Sequence, residues 1–265
     1  RRKMVVPLAT VVPGTAARAP ASSVPANGAV TVFCMPPDGM TSPPIVYRNL
    51  VITGAAVQEY PQRGMSGDVR AWDVITGKLV WTFHTVPRPG EVGHDSWSAD
   101  SWQNRSGVNA WGFMTVDARR GIVFIPLGGP AWDRYGGDRP GANLYGSSVV
   151  ALDARTGKRL WHFQLVHHDI WDYDAEAPPL LLDVPRGRRT VPAVGIVSKT
   201  GYFYLLNRLT GEPLLPVEER AVPASDVPDE QTSPTQPIPS ITPPFARQSF
   251  SMADVATVTP ELEAW

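Results

Sequence analysis

Three segments of the chain repeat one pattern: Val69-Arg-Ala-Trp-Asp73-Val-Ile-Thr-Gly77-Lys-Leu-Val-Trp81, Val149-Val-Ala-Leu-Asp153-Ala-Arg-Thr-Gly157-Lys-Arg-Leu-Trp161 and Tyr204-Leu-Leu-Asn207-Arg-Leu-Thr-Gly211-Glu-Pro-Leu-Leu215. Each reads as a strand, a tight turn closed by Thr-Gly, and a second strand. The Asp or Asn four residues before the Gly has an oxygen to offer the turn's backbone N–H groups, and Gly takes the positive φ that the turn requires. Upstream of the first two units lies another hairpin, Ile45–Tyr47 into Leu50–Thr53 and Phe113–Val116 into Ile122–Ile125. A shorter strand, Ala193–Val197, precedes the third. The expected unit is therefore a sheet of about four antiparallel strands, repeated.

Sheets of that kind arranged in series are propeller blades. Gly77 and Gly157 stand 80 residues apart and Gly157 and Gly211 stand 54 apart, more than the roughly 40–50 residues of a bare blade, so long loops must take up the excess. Three blades cannot close a ring that typically needs 4–8. The sequence thus predicts an all-β fold: about three four-stranded antiparallel blades, residues 39–217, belonging to a larger β-propeller protein. Residues 1–38 read as a leader and linker, and 218–265 as a long Pro-rich loop followed by the cut-off start of another element. Arg1-Arg2-Lys3 before the mostly apolar Met4–Ala17 has the order of a secretory signal, interrupted by Pro7 and Pro13; the alternative is a disordered or mis-joined leader.

Composition narrows the function classes. A formal net charge of −1 gives no electrostatic reason to expect a nucleic acid or an anionic membrane as partner. A single cysteine, Cys34, excludes an intrachain disulfide and a cysteine-based zinc site. No apolar run reaches the roughly 18 residues of a membrane span.

Antiparallel alternation places the loops. The connections between second and third strands of a blade, and between one blade and the next, fall on one face, and the short turns fall on the other. Every long connection lies on the first face: 54–67, 86–107, 128–146, 165–179 and the turn at 198–201. Val166–Asp174, reading VHHDIWDYD, packs two histidines and three carboxylates beside two aromatics into nine residues of that face. Loops held by a rigid scaffold are where chemistry is usually placed. Adjacent residues of an extended chain face opposite ways, so His167 and His168 do not readily share one ion. One of them reads as a loop-structuring group, and the other is left as a substrate contact.

TSPP at Thr41, QEYPQRG around Glu59, NAWGFMTVD from Asn109, YGGDR from Tyr135, VHHDIWDYD and SKTGYFYLLNR from Ser198, taken together and in this order, resemble the pyrroloquinoline quinone (PQQ) dependent dehydrogenases, with the membrane-associated glucose dehydrogenase type nearest in character. The resemblance covers about Gly39 to Phe250. It implies an eight-bladed propeller, of which this chain supplies three blades. It also implies an exported, periplasmic oxidoreductase acting on a sugar or other alcohol, with PQQ and Ca²⁺ or Mg²⁺ as cofactors and a quinone or cytochrome as downstream electron acceptor.

Carried over residue by residue, the resemblance makes Asp172 the catalytic base and also a metal ligand. Lys199, 27 residues on, becomes the cation that bonds the quinone oxygens. Trp111 becomes the ring on which the planar cofactor stacks, Thr41 a cofactor-bonding hydroxyl, and Glu59 a carboxylate ligand of the cation. Each residue has a plainer reading: Asp172 as a turn cap, Thr41 as a strand-entry residue, Glu59 as a solvated loop glutamate. Trp81 and Trp161 are expected to pack. The third metal ligand of the family, Asn or Thr after Ile125, is missing here. Leu127-Gly-Gly-Pro-Ala-Trp-Asp133 offers backbone carbonyls, unless Asp133 takes the place, and there is no vicinal cysteine pair. Two other functions stand beside the enzyme: a non-catalytic propeller scaffold or assembly factor, and an inactive fragment of the enzyme. A scaffold has no use for Asp172, Lys199, Trp111 and Glu59 gathered on one face.

Overall fold

The computed structural model describes residues 39–255 and 257–261, so the leader at 1–38 and residues 262–265 lie outside the described residues. Two four-stranded antiparallel sheets form as expected. The first joins β1 (Ile45–Tyr47), β2 (Leu50–Thr53), β3 (Val69–Asp73) and β4 (Leu79–Phe83); the second joins β5 (Thr115–Asp117), β6 (Ile122–Leu127), β7 (Ser148–Asp153) and β8 (Arg159–Gln164). Register shifts at the same place in both, between Ala71 and Trp72 and between Ala151 and Leu152. The repeated sequence thus repeats even the irregularity.

The third sheet departs from the pattern. It has three strands, β9 (Leu180–Arg186), β10 (Arg189–Val197) and β11 (Phe203–Asn207), and its fourth is reduced to a single bridge between Leu206 and Pro213. Pro213 and Pro216 remove backbone donors where a fourth strand needs them. The chain pairs instead within a separate hairpin, β12 (Val217–Ala221) with β13 (Thr235–Pro239), where the sequence suggests only a loop. β9 was also illegible, because Pro178, Pro179 and Pro185 break its apolar run. An edge strand tolerates Pro185, and β9 hydrogen-bonds to β10 alone.

The middle sheet is buried on both faces, which explains why β6 and β7 read as nearly continuous apolar runs. Val123, Ile125, Leu127, Val150 and Leu152 pack against Tyr47, Ile52, Val69 and Trp81 of the first sheet. Their alternate neighbours Ile122, Phe124, Val149 and Ala151 pack against Val194, Ile196, Tyr204 and Leu206 of the third.

Tryptophan ties each sheet to the next at the turn face. The Trp81 indole donates to the Ala154 carbonyl at 3.3 Å and the Trp161 indole to the Arg208 carbonyl at 3.1 Å. The indole planes also lie on the turn glycines, for a Cβ on Gly157 or Gly211 would stand 2.6 or 2.7 Å from ring atoms of Trp81 or Trp161. These glycines therefore serve twice, through their positive φ (71° and 77°) and through their missing side chain.

Candidate active site

Five connections converge on the opposite face: β2–β3 carrying Glu59, β4–β5 carrying Trp111, β6–β7 carrying Gly129 and Arg134, β8–β9 carrying Asp169 to Asp174, and β10–β11 carrying Lys199. Lys199 stands at the centre. Its Nζ donates to Asp172 Oδ1 at 2.9 Å and to Asp174 Oδ2 at 2.7 Å, and lies 5.5 Å from the ring centroid of Trp111. Two sheet-to-sheet connections and one connection within the third sheet thus meet at one ammonium group. Asp174 is anchored further by the Gly129 N–H at 2.7 Å, and Asp172 Oδ2 faces Arg134 Nη2 at 3.4 Å. The close approach of the β6–β7 loop depends on Gly128, where a Cβ would stand 2.8 Å from Asp174 Oδ1 and 3.0 Å from Trp111 Nε1.

The two carboxylates on Lys199 are driven apart in acidity. Burial pushes Asp174 up to about 6, and neither Lys199 nor the Gly129 amide offsets it fully; the Asp172 charge adds to the rise. Burial also acts upward on Asp172, but less, and the hydrogen bonds and charges of Lys199 and its neighbours hold its carboxyl below the usual range. Lys199, although partly desolvated, is raised above the ordinary lysine value by its two carboxylates. Glu59 is raised, first by burial and then by the charges of Asp133 and Asp172, while Lys199 and Arg134 pull the other way. Four carboxylates therefore share this mouth with two cations. The Trp111 ring is 38% exposed beside them, a flat apolar surface left open next to the cluster.

The sequence-predicted residues are thus brought together, with one exception. Asp172 and Lys199 touch, Trp111 lies under the ammonium, and Glu59 sits in their field. Thr41 lies exposed in the bend leading into β1, outside the contact network of Lys199. Among the described residues no group of three or more His, Cys, Asp or Glu is poised to hold a metal ion. The two histidines do part as expected. His168 is buried, with Nδ1 2.9 Å from Asn143 Oδ1, and burial followed by the Arg139 charge pushes it down to about 4, so it is neutral. His167 turns toward Gln164 and Glu219 of β12. Of the carboxylates in VHHDIWDYD, sequence reasoning ranks Asp169 and Asp174 next after Asp172 as base; it gives no role to Arg139 of the YGGDR motif and passes over Arg134 and Ser147. The density of Asp in DIWDYD was the available signal.

Residues 35–265 match the model of the PQQ family described as glucose/ethanol/alcohol dehydrogenase, beta-propeller domain. The chain belongs to this PQQ dehydrogenase family. It is 38% identical over 231 residues to the quinate/shikimate dehydrogenase (quinone) of Acinetobacter baylyi, covering 83% of this chain and 27% of that one. To the quinoprotein glucose dehydrogenase of Escherichia coli it is 36% identical over 200 residues, 74% of this chain and 25% of the other. Among solved structures, the quinohemoprotein alcohol dehydrogenase of Comamonas testosteroni superposes with a TM-score of 0.61 at 28% identity, covering 76% of this chain and 31% of that one. The chain spans about a quarter of the length of the curated PQQ dehydrogenases it matches. Among the described residues no helix is long and apolar enough to cross a membrane.

Proposed function

We propose that the chain supplies part of the active site of a quinoprotein oxidoreductase that oxidises a sugar or other alcohol, in a periplasmic or otherwise exported protein that passes electrons to a quinone or cytochrome. The observation that carries this reading is the meeting of Asp172, Lys199 and Trp111 from three separate connections, at positions that match the family's motifs. PQQ, when bound with a divalent cation, supplies an ortho-quinone that accepts the hydride of a carbinol. Asp172 takes the hydroxyl proton. It is ionised and a quarter exposed, whereas Asp174 is better buried, so Asp172 is the carboxylate that a substrate reaches.

Lys199 has a second part to play. While it is bonded to Asp172 it keeps that carboxylate a weak base, and turning its donors to cofactor oxygens releases Asp172 to a higher proton affinity. Trp111 offers the floor for a flat ring system, and Thr41 a hydroxyl to its edge. Glu59 and Asp172 are the residues to hold Ca²⁺ or Mg²⁺. Their donors are hard oxygens, and the repulsion from Asp133 and Asp172 that adds to burial in raising Glu59 is what a cation relieves. Two carboxylates leave the coordination shell open to backbone carbonyls and to Asp133.

The full-length protein, loaded with PQQ and Ca²⁺ or Mg²⁺, is expected to reduce an artificial acceptor when given an aldose, polyol or short alcohol. Asp172→Asn nearly preserves shape and removes proton acceptance, so turnover should fall by a factor on the order of 10² or more with PQQ still bound. Near-normal turnover in that variant moves the base to another carboxylate.

A further inference from the structure

Asp172, the residue closest to the chemistry, is held in a conformation that residues with side chains seldom adopt. Its φ is +62°, in the left-handed region, as is that of His168 at +45°. Such a conformation persists only where the surroundings over-determine it, and here the determinant is a neighbouring carboxylate that touches neither Lys199 nor the mouth. Asp169 is 3% exposed. Its Oδ1 accepts the Trp171 N–H at 2.9 Å and its Oδ2 accepts the Tyr173 N–H at 2.8 Å, the two amides on either side of Asp172. A third donor, the Ser147 hydroxyl at 2.6 Å, comes from the end of the β6–β7 loop and fixes the carboxylate's own orientation. The Asp169 carbonyl in turn accepts from the buried Arg139 guanidinium at 2.6 Å, and Arg139 is tied through Asn143 to His168.

We propose that Asp169 is the positioning residue of this site: by gripping the amides that flank Asp172, it fixes the left-handed turn that aims the Asp172 carboxylate at Lys199. The inference rests on the reading of Asp172 as the base. A carboxylate is suited to the task because it is acceptor-only and has two oxygens, so both flanking amides and the serine hydroxyl are satisfied at once. Asparagine has one acceptor oxygen and must give up a grip on one side. The chain around Asp172 then relaxes toward an ordinary φ, and the carboxylate swings off the Lys199 ammonium.

The test is steady-state kinetics of the full-length holoenzyme with Asp169→Asn, Asp169→Glu, Ser147→Ala and Asp172→Asn. Asp169→Asn should lower kcat by about 10- to 10²-fold, the size of effect expected when a reacting group is misplaced by an ångström or so. KM for the alcohol and the affinity for PQQ, followed by quenching of tryptophan fluorescence, should stay within about threefold, because Asp169 is buried with both oxygens turned onto backbone amides and the Ser147 hydroxyl. Ser147→Ala should lower kcat by less, again with KM within about threefold, and it carries the test if Asp169→Asn does not fold. Asp169→Glu, which keeps the charge and misplaces the oxygens, should not rescue kcat. An unchanged kcat in Asp169→Asn or in Ser147→Ala, with only a lower melting temperature, reduces Asp169 to a structural residue and overturns the proposal. If Asp172→Asn itself turns over normally, the base assignment has failed and the inference falls with it; a dead Asp172→Asn beside a normal Asp169→Asn sinks the inference alone.

Discussion

The two faces of the blades solve the same problem, closing a connection between antiparallel strands, in opposite ways. On the turn face the three Thr-Gly closures follow one pattern. Asp73 Oδ1 accepts the N–H groups of Ile75 and Thr76 and the Thr76 hydroxyl, and Asp153 Oδ1 does the same with Arg155 and Thr156. The carbonyls of Asp73, Asp153 and Asn207 each accept the glycine N–H four residues on, at 2.8, 2.9 and 2.8 Å. On the other face no two connections are alike, and side-chain charges do the work of backbone ladders: Lys199 on two aspartates, Asp174 on a loop amide, Asp169 on the amides around Asp172. Buried charge occurs on both faces, as Asp117 with Arg208 on the turn face, but the other face sets it beside an exposed indole and open carboxylates. Stability and function are therefore separable in this molecule by face, and substitutions should sort accordingly.

The largest effect should come from Lys199→Met in the full-length protein. The stem is kept and the charge removed, which leaves Asp172 and Asp174 side by side with no shared cation. Turnover should fall by a factor on the order of 10²–10³, as when a positioned charge-stabilising donor is removed. Melting temperature should change little, because the ammonium is a third exposed and its ion pairs are correspondingly screened. A variant that keeps its turnover but melts far earlier would break the comparison by making the site face the structural one.

The turn face should behave in reverse. Gly157→Ala forces a side chain into the left-handed region and into the Trp81 indole. About 1–2 kcal/mol for the conformation and about 1–3 kcal/mol for the overpacking are expected, with turnover per folded molecule unchanged. Gly77→Ala shares the first penalty alone, since its φ is +68° and none of the described residues lies within 4 Å of the added Cβ. Denaturant unfolding of the two variants measures the difference directly. Equal losses would show that the indole yields and that the tryptophan tie is weaker than its geometry suggests. Repeating Gly77→Ala in the full-length protein sharpens the contrast, because its penalty rises toward that of Gly157→Ala if another indole covers it there.

The same division explains what could be read in the sequence. A job done three times leaves three copies, so Asp73, Asp153 and Asn207 with their glycines disclosed the turns, the strands beside them and the face on which the loops must meet. Asp172, Lys199, Trp111 and Glu59 were legible because their order along the chain resembles a family, and topology then brought them together. Asp169 was legible only as another candidate base: its hold on the Trp171 and Tyr173 amides, and its ties to Ser147 and Arg139 of the β6–β7 loop, depend on loop geometry that no spacing reveals. β9 and the β12–β13 hairpin escaped for another reason. Proline is a reliable breaker only where a strand needs its N–H, and Pro185 and Pro237 stand in strands that pair with a single neighbour.

The smallest effect concerns the one imperfect copy. Asn207 Oδ1 accepts a single turn donor, the Leu209 N–H at 2.9 Å, while the Thr210 hydroxyl that its counterparts capture goes to Glu212 Oε2 at 3.0 Å. Asn207→Asp restores the carboxylate found in the other two turns, and with it a stronger, charge-assisted acceptor for the turn amides. It also sets a second negative charge near Glu212, which already competes for the same threonine. Both terms act at an exposed turn, where screening keeps each within about 1 kcal/mol. They oppose one another, so the net change in unfolding free energy should lie within about 0.5 kcal/mol of zero. Adding Glu212→Gln removes the repulsion, and the double variant should then be more stable than Glu212→Gln alone by several tenths of a kcal/mol. A double variant no more stable than Glu212→Gln would mean that asparagine closes this turn as well as aspartate does, and that the charge in the first two copies contributes nothing to closure.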